Sequence, residues 1–225
     1  MIPTLPPGRE VAPVNGAASP VFAWRPATAT RRLDEGFRLL ALNVSRIIGS
    51  EPRRSVVVLS AHASDGRSFA AASLARALAT IMPPVLLADG DPLGAGMQES
   101  GGISAAGIPL GNGHTRQLGL EPEAEQPGRH PLWVLEYARA HLRKRGDFTT
   151  ELLAEIDRAT AGGMTVVVDT PACANSSLGF HLAAAATGVI YLARRRVEHP
   201  EVHRSIRAQL DLLGARVLGV VFNET

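Results

Sequence analysis

Five short segments constrain what this 225-residue chain can fold into more than anything else in it: SVVVLS at 55–60, VLLA at 85–88, MTVVV at 164–168, VIYL at 189–192 and RVLGVVF at 216–222. Each is rich in branched apolar residues, has no polar alternation, and is bounded by polar or turn-forming residues. A strand apolar on both faces must be covered on both faces. Between these segments the apolar period changes to that of a helix. Leu33, Phe37, Leu40, Val44 and Ile47 share a helix face up to residue 48, and Asp34 is placed to cap its start. An alanine-rich stretch over 66–81 turns Phe69, Leu74, Ala77 and Leu78 inward and stops at Pro83 and Pro84. Further helices are expected from Thr149 or Thr150 to Thr160, over 178–186 and over 201–213. This alternation predicts an α/β fold with a parallel sheet flanked by helices on both faces. Its crossovers should be right-handed, and a ligand should sit off the carboxyl ends of the strands.

Composition narrows the function. The chain is 45% apolar, with 23 basic against 21 acidic residues and a net charge of +2. That balance argues against nucleic acid as a partner. The single cysteine, Cys173, precludes an intrachain disulfide. No apolar run approaches the roughly 20 residues of a membrane helix, and the N-terminus lacks a basic-then-apolar signal pattern. A cytoplasmic protein is expected. Residues 1–32, with prolines at 3, 6, 7, 13, 20 and 26, are expected to form a disordered lead segment. Residues 33–225 should then be one domain. Within it, 93–131 is glycine- and proline-rich and reads as an irregular insertion, followed by a short strand near 132–135. The basic cluster at 139–145 could reach anionic lipid.

Three features fall at strand ends. The loop AHASDGRS at 61–68 joins the first strand to a helix. A phosphate-binding loop needs small residues, a helix N-terminus behind them, a lysine for the terminal phosphates and a hydroxyl for magnesium, in the pattern G-x-x-x-x-G-K-[ST]. Gly66 and Ser68 fit that pattern. Ala61 stands for the first glycine and Arg67 for the lysine. Taken by itself the loop reads better as an Asp-Gly turn capping a helix. Asp89 and Asp91 follow the second strand, and Asp169 follows the third, where a P-loop protein holds magnesium or its water. Three such features, each at the correct end of its own strand, point to a nucleotide fold.

Residues 35–225 resemble the bacterial tyrosine kinases of capsule and exopolysaccharide export, members of the deviant-Walker P-loop ATPases. The likeness rests on EGFRLLALN at 35–43, the loop region 55–79, LLADGD at 86–91, VVVDTP at 166–171 and GARVLGVVFN at 214–223. It implies binding of ATP or ADP with Mg2+. The nucleotide would meet Asp65, Gly66, Arg67, Ser68 and Phe69, with Asn223 against the base. Ser68, Asp89 and Asp169 would hold the metal, and Arg67 and Asp89 would act catalytically. The departures are equally specific. Arg67 replaces the lysine, and Ser64 stands where glycine is usual. In the oligomerisation motif E-x-x-R-x-x-R, Glu35 and Arg38 match but Ala41 replaces the second arginine. The C-terminal tyrosine cluster is missing, leaving only Tyr137 and Tyr191. The resemblance implies a degenerate kinase-like protein of polysaccharide export with weak or absent nucleotide turnover. It would dock on a membrane chain-length regulator or co-polymerase and could form a homo-oligomer. The alternative is an active ATPase, tyrosine kinase or positioning ATPase with Arg67 in the lysine's role. Among other candidates, His199 and His203 share a helix face without an evident third ligand, and Arg194, Arg195 and Arg196 follow a strand end.

Overall fold

The computed structural model describes residues 21–22, 30–91, 106–110, 113–118, 132–136, 148–195 and 200–223. In chain order these form β1 (Val21–Phe22), α1 (Thr30–Ile48), β2 (Arg54–Ser60), α2 (Arg67–Ala79), β3 (Val85–Asp89), β4 (Ala106–Leu110), β5 (Gly113–Leu118) and β6 (Leu132–Glu136). There follow α3 (Phe148–Ala161), β7 (Thr165–Asp169), α4 (Leu178–Ala185), β8 (Gly188–Arg194), α5 (Pro200–Leu212) and β9 (Val217–Asn223). All the described strands lie in one sheet, in the order β1-β9-β8-β2-β7-β3-β6-β5-β4. From β1 to β6 every neighbouring pair is parallel, and β6-β5-β4 is antiparallel. The fold is a P-loop NTPase-like α/β sheet with helices on both faces.

Side-chain alternation along the strands builds two cores. Val56 and Val58 of β2, with Val85, Leu87, Val167, Ile190 and Leu192, face α1 and α2. Val57 and Leu59, with Leu86, Val166, Val168 and Val189, face α3, α4 and α5. The strands are apolar throughout because both sets are buried. Truncating a fully enclosed member such as Leu74 or Leu87 to alanine costs about 2–5 kcal/mol.

Some boundaries differ from expectation. α1 starts at Thr30, so Asp34 lies inside the helix and does not cap it. α5 starts on Pro200, whose fixed φ and missing N–H suit a first helical position. The larger difference falls in 93–131, where β4 and β5 form a hairpin that extends the sheet from β6. Pro109 sits in β4, the edge strand, where a missing N–H costs no ladder bond. Glycine and proline hide the alternation that would announce these strands. The rest of 93–131 lies outside the described residues. So does the lead segment, apart from Val21–Phe22, which pairs with Val220 and Val221 of β9, and the start of α1. Tyr137, the basic cluster at 139–145, Arg196 and His199 also lie outside the described residues. No helix among the described residues is long and apolar enough to cross a membrane.

Candidate functional site

The chain leaves β2 toward β3 on one side and later places β8 on the other, so the carboxyl end of β2 opens at the point where strand order reverses. A 3-10 turn, Ala63–Asp65, follows β2, and Gly66 carries the chain into α2. Gly66 has φ +87°, the left-handed region that glycine enters without strain, and a Cβ there would lie 2.9 Å from Asn223 Nδ2. No side chain caps the N-terminus of α2. Strand, small-residue loop and helix start are thus arranged as a phosphate loop requires. The segment after β7 backs the loop: the Cys173 N–H donates to Ser60 O at 3.0 Å and the Ala174 N–H to Ala61 O at 3.1 Å.

Arg67, expected on the phosphates of a nucleotide, is 4% exposed. Its Nε donates to Thr170 O at 2.7 Å, and its Nη1 donates to Ser60 Oγ and to His62 O, each at 2.7 Å. Nη2 lies 3.8 Å from Asp91 Oδ2. The guanidinium therefore bridges the end of β2, the loop and the end of β7. Three of its five N–H groups are committed to protein acceptors. A lysine at the same place has one nitrogen and could not span those segments.

Asp89 and Asp169 are register partners at the ends of adjacent strands. Gly90 permits this closeness. Its N–H donates to Asp169 O at 3.0 Å, and a Cβ would lie 2.5 Å from that oxygen. Burial pushes the Asp169 carboxyl up to about 7, and the neighbouring Asp89 charge adds to the rise. A hydrogen bond from Ser68, the Arg67 charge and the Thr170 N–H oppose it. Thr170 is a second pivot: its N–H donates to Asp169 Oδ1 at 2.9 Å and its hydroxyl to Val58 O at 2.8 Å.

On the outer side of the loop Asp65 is 2% exposed. Its Oδ2 accepts the His62 N–H at 2.8 Å, and its Oδ1 lies 3.4 Å from Arg194 Nε. Arg194 Nη2 also donates to Ser64 O. Asn223, expected against a base, donates from Nδ2 to Asp65 O at 3.0 Å. Phe69 is half exposed on α2 and meets Phe37 edge-on, with ring centroids 6.0 Å apart. Tyr191 is buried, and its hydroxyl shares a 2.8 Å hydrogen bond with His203 Nδ1.

The structure thus brings Asp65, Gly66, Arg67, Ser68, Asp89, Asp169 and Asn223 to one strand-end site. Sequence reasoning missed Ser60 and Thr170 as partners of Arg67, and Arg194 as the partner of Asp65. Ser60 and Thr170 carried only a positional signal, as polar residues closing apolar strands. Among the described residues no group of three or more His, Cys, Asp or Glu side chains is placed to hold a metal ion. The hard oxygens of Ser68, Asp89 and Asp169 fit magnesium only in the P-loop manner, where waters and phosphates complete the shell. The triphosphate fits less well, because the cation that would meet its terminal group is turned inward.

No family model and no curated protein matches the chain. Solved structures do. The chain is similar to the VpsO kinase domain, at 24% identity and a TM-score of 0.59, covering 85% of this chain and 96% of that one. It is similar to the kinase domain of the Escherichia coli tyrosine kinase ETK, at 16% identity and a TM-score of 0.60, over 85% of this chain and 75% of that one. It is also similar to the septum site-determining protein MinD of Pyrococcus horikoshii OT3, a structure complexed with Mg-ADP. That match has 17% identity and a TM-score of 0.55, over 76% and 70% of the two chains. Bacterial tyrosine kinase domains and P-loop ATPases are thus its structural neighbours, and at these identities the likeness is one of fold.

Proposed function

We propose that this chain is a degenerate tyrosine-kinase-like P-loop protein of exopolysaccharide or capsule export. It docks on a membrane chain-length regulator or co-polymerase and turns nucleotide over weakly or not at all. One observation carries the reading: Arg67 is buried, with its guanidinium spent on Ser60, His62 and Thr170. Phosphoryl transfer is mostly positioning and charge stabilisation, so a cation held away from the terminal phosphate removes rate before it removes binding. The tyrosine chemistry points the same way, since Tyr191 is enclosed and hydrogen-bonded to His203. The kinase domains among the structural neighbours support the choice of system. In this reading residues 33–225 form the working domain, the protein is cytoplasmic, and its membrane association comes through the partner.

Ser68, Asp89 and Asp169 would hold magnesium, which would neutralise phosphate charge when bound with ADP or ATP. Within the chain, the Ser68 hydroxyl hydrogen-bonds to the Asp169 carboxyl and favours its charged form. The start of α2, which no side chain caps, would offer its N–H groups to an anion, while in the loop the His62 N–H is already donated to Asp65. Two measurements test the proposal. Calorimetry with millimolar Mg-ATP and Mg-ADP should give weak or no binding, with hydrolysis at background. Co-purification should capture the chain with the chain-length regulator of its export system. Steady ATP turnover by the purified chain would favour the alternative, an active ATPase or kinase using Arg67.

A further inference from the structure

The loop after β2 is fastened from two sides by side chains of its own domain, and the two fastenings meet at His62. Inside, Arg67 ties it to Ser60, to His62 and, across the strand, to Thr170, with Asp91 beside the remaining nitrogen. Outside, Asp65 ties it to Arg194 of β8 and Asn223 of β9, while its carboxylate also receives the His62 N–H. Arg194 reaches a further loop carbonyl at Ser64. Together these bonds join the loop to the ends of β2, β7, β8 and β9. An ordinary phosphate loop keeps its cation and N–H groups available for the anion that binds there. This loop has a cation satisfied by carbonyl and hydroxyl oxygens, and a buried carboxylate on a loop N–H.

We propose that Arg67 and Asp65 form a two-sided internal latch that holds the phosphate loop closed without nucleotide and keeps the Arg67 guanidinium away from the γ-phosphate position. This goes beyond a slow active site, although it rests on the P-loop reading above. A loop already closed by the chain cannot report the nucleotide state to a partner. The domain would present one conformation to its partner whether ATP, ADP or neither is present. Arg67 closes the inner side and Asp65 the outer side.

Amide hydrogen exchange tests this on the full chain. In the wild type, the His62 and Asp65 amides should be protected without nucleotide, and millimolar Mg-ADP or Mg-ATP should leave their rates unchanged. Arg194→Ala removes only an exposed contributor to the outer side. It should raise the His62 exchange rate several-fold while the strand amides of β2 stay as they are. Asp65→Ala combined with Arg67→Lys should raise loop exchange by about tenfold or more. Mg-ADP should then restore protection, because the internal carboxylate is gone and the lysine of the phosphate-loop pattern is back. If the double variant does not fold, Asp65→Asn, which preserves size, takes its place and should also raise the His62 rate. The latch is overturned if the wild-type loop exchanges freely and becomes protected on adding Mg-ATP. It is also overturned if folded Arg194→Ala and Asp65→Asn both exchange as slowly as wild type. These outcomes are separate from the proposed function: ATP turnover with a protected loop would sink weak catalysis and leave the latch standing.

Discussion

Replacing Arg67 by methionine should destabilise the fold substantially. Methionine keeps an unbranched apolar stem of similar reach and removes only the charged fork. Three charge-assisted bonds, each 2.7 Å long, then disappear from Thr170 O, Ser60 Oγ and His62 O. Bonds to a charged group contribute about 1.5–3 kcal/mol each. The full sum is not lost, because His62, Ala63 and Ser64 are exposed and water can reach part of the vacated space. A loss of about 3–5 kcal/mol is the expectation for removing one partner of a buried charged network. With a urea slope of about 2 kcal/mol/M, the unfolding midpoint should fall by about 1.5–2.5 M. Arg67→Lys should fall between the two, since one ammonium cannot serve acceptors on three segments. The sign of the effect is diagnostic. A cation waiting beside a helix N-terminus for an absent phosphate is itself unfavourable, and removing it should stabilise the empty protein. A midpoint for Arg67→Met within about 0.5 M of wild type, or above it, would refute the structural role argued for the guanidinium.

Three further outcomes follow from the same region. Burial lowers the His203 pKa from 6.5, helped by His62 and opposed by the charges of Asp65 and Glu201. The folded chain therefore resists a proton at His203 that the unfolded chain accepts, so the contribution of His203 to stability should be full above about pH 6.5 and fall as pH drops below it, while Asp169, raised to about 7, contributes with the opposite sign; urea midpoints of His203→Gln should fall less toward acid than those of the wild type, and an identical pH dependence of the two would count against the assignment. Tyr191 should not be phosphorylated, because it is enclosed and bonded to His203, with its phenol raised well above the usual range by burial and then by Cys173 and Asp65. Mass spectrometry after co-expression with a membrane activator checks this, and substantial phosphotyrosine at 191 would overturn it. Gly66→Ala should cost about 1–2 kcal/mol in urea unfolding, because φ is +87° and the added carbon lies 2.9 Å from Asn223 Nδ2.

The sheet was legible because its buried strands carry a signal that survives without neighbours. The segments at 55–60, 85–88 and 164–168 became β2, β3 and β7 almost residue for residue. β4 and β5 were not legible: Gly107, Pro109 and Gly113 interrupt the alternation, and the pairing is made by backbone groups that every sequence possesses. The positions of the site residues were legible for a related reason. A side chain at the carboxyl end of a parallel strand goes to the ligand edge whatever its identity, so Asp89 and Asp169 converge as the topology requires, and Ser68, in the first turn of the helix that follows β2, meets Asp169 there.

Where each side chain turns once it arrives was not legible, and Arg67 shows why. Its main partner, Thr170 O, lies 103 residues away and is a carbonyl, so nothing in residue type announces it. The same holds for Asn223, whose acceptor is the Asp65 carbonyl 158 residues earlier. Exchanging lysine for arginine preserves charge and so looks like a small change at the sequence level. In the fold it alters the number and direction of donors. One nitrogen with three hydrogens can turn toward whatever anion arrives, whereas a planar fork with five is fixed once two of its edges are engaged. Ser60 Oγ, His62 O and Thr170 O engage those edges here. The consequence for phosphate chemistry therefore lies in geometry rather than in charge, and it becomes readable only when β2 and β7 stand side by side.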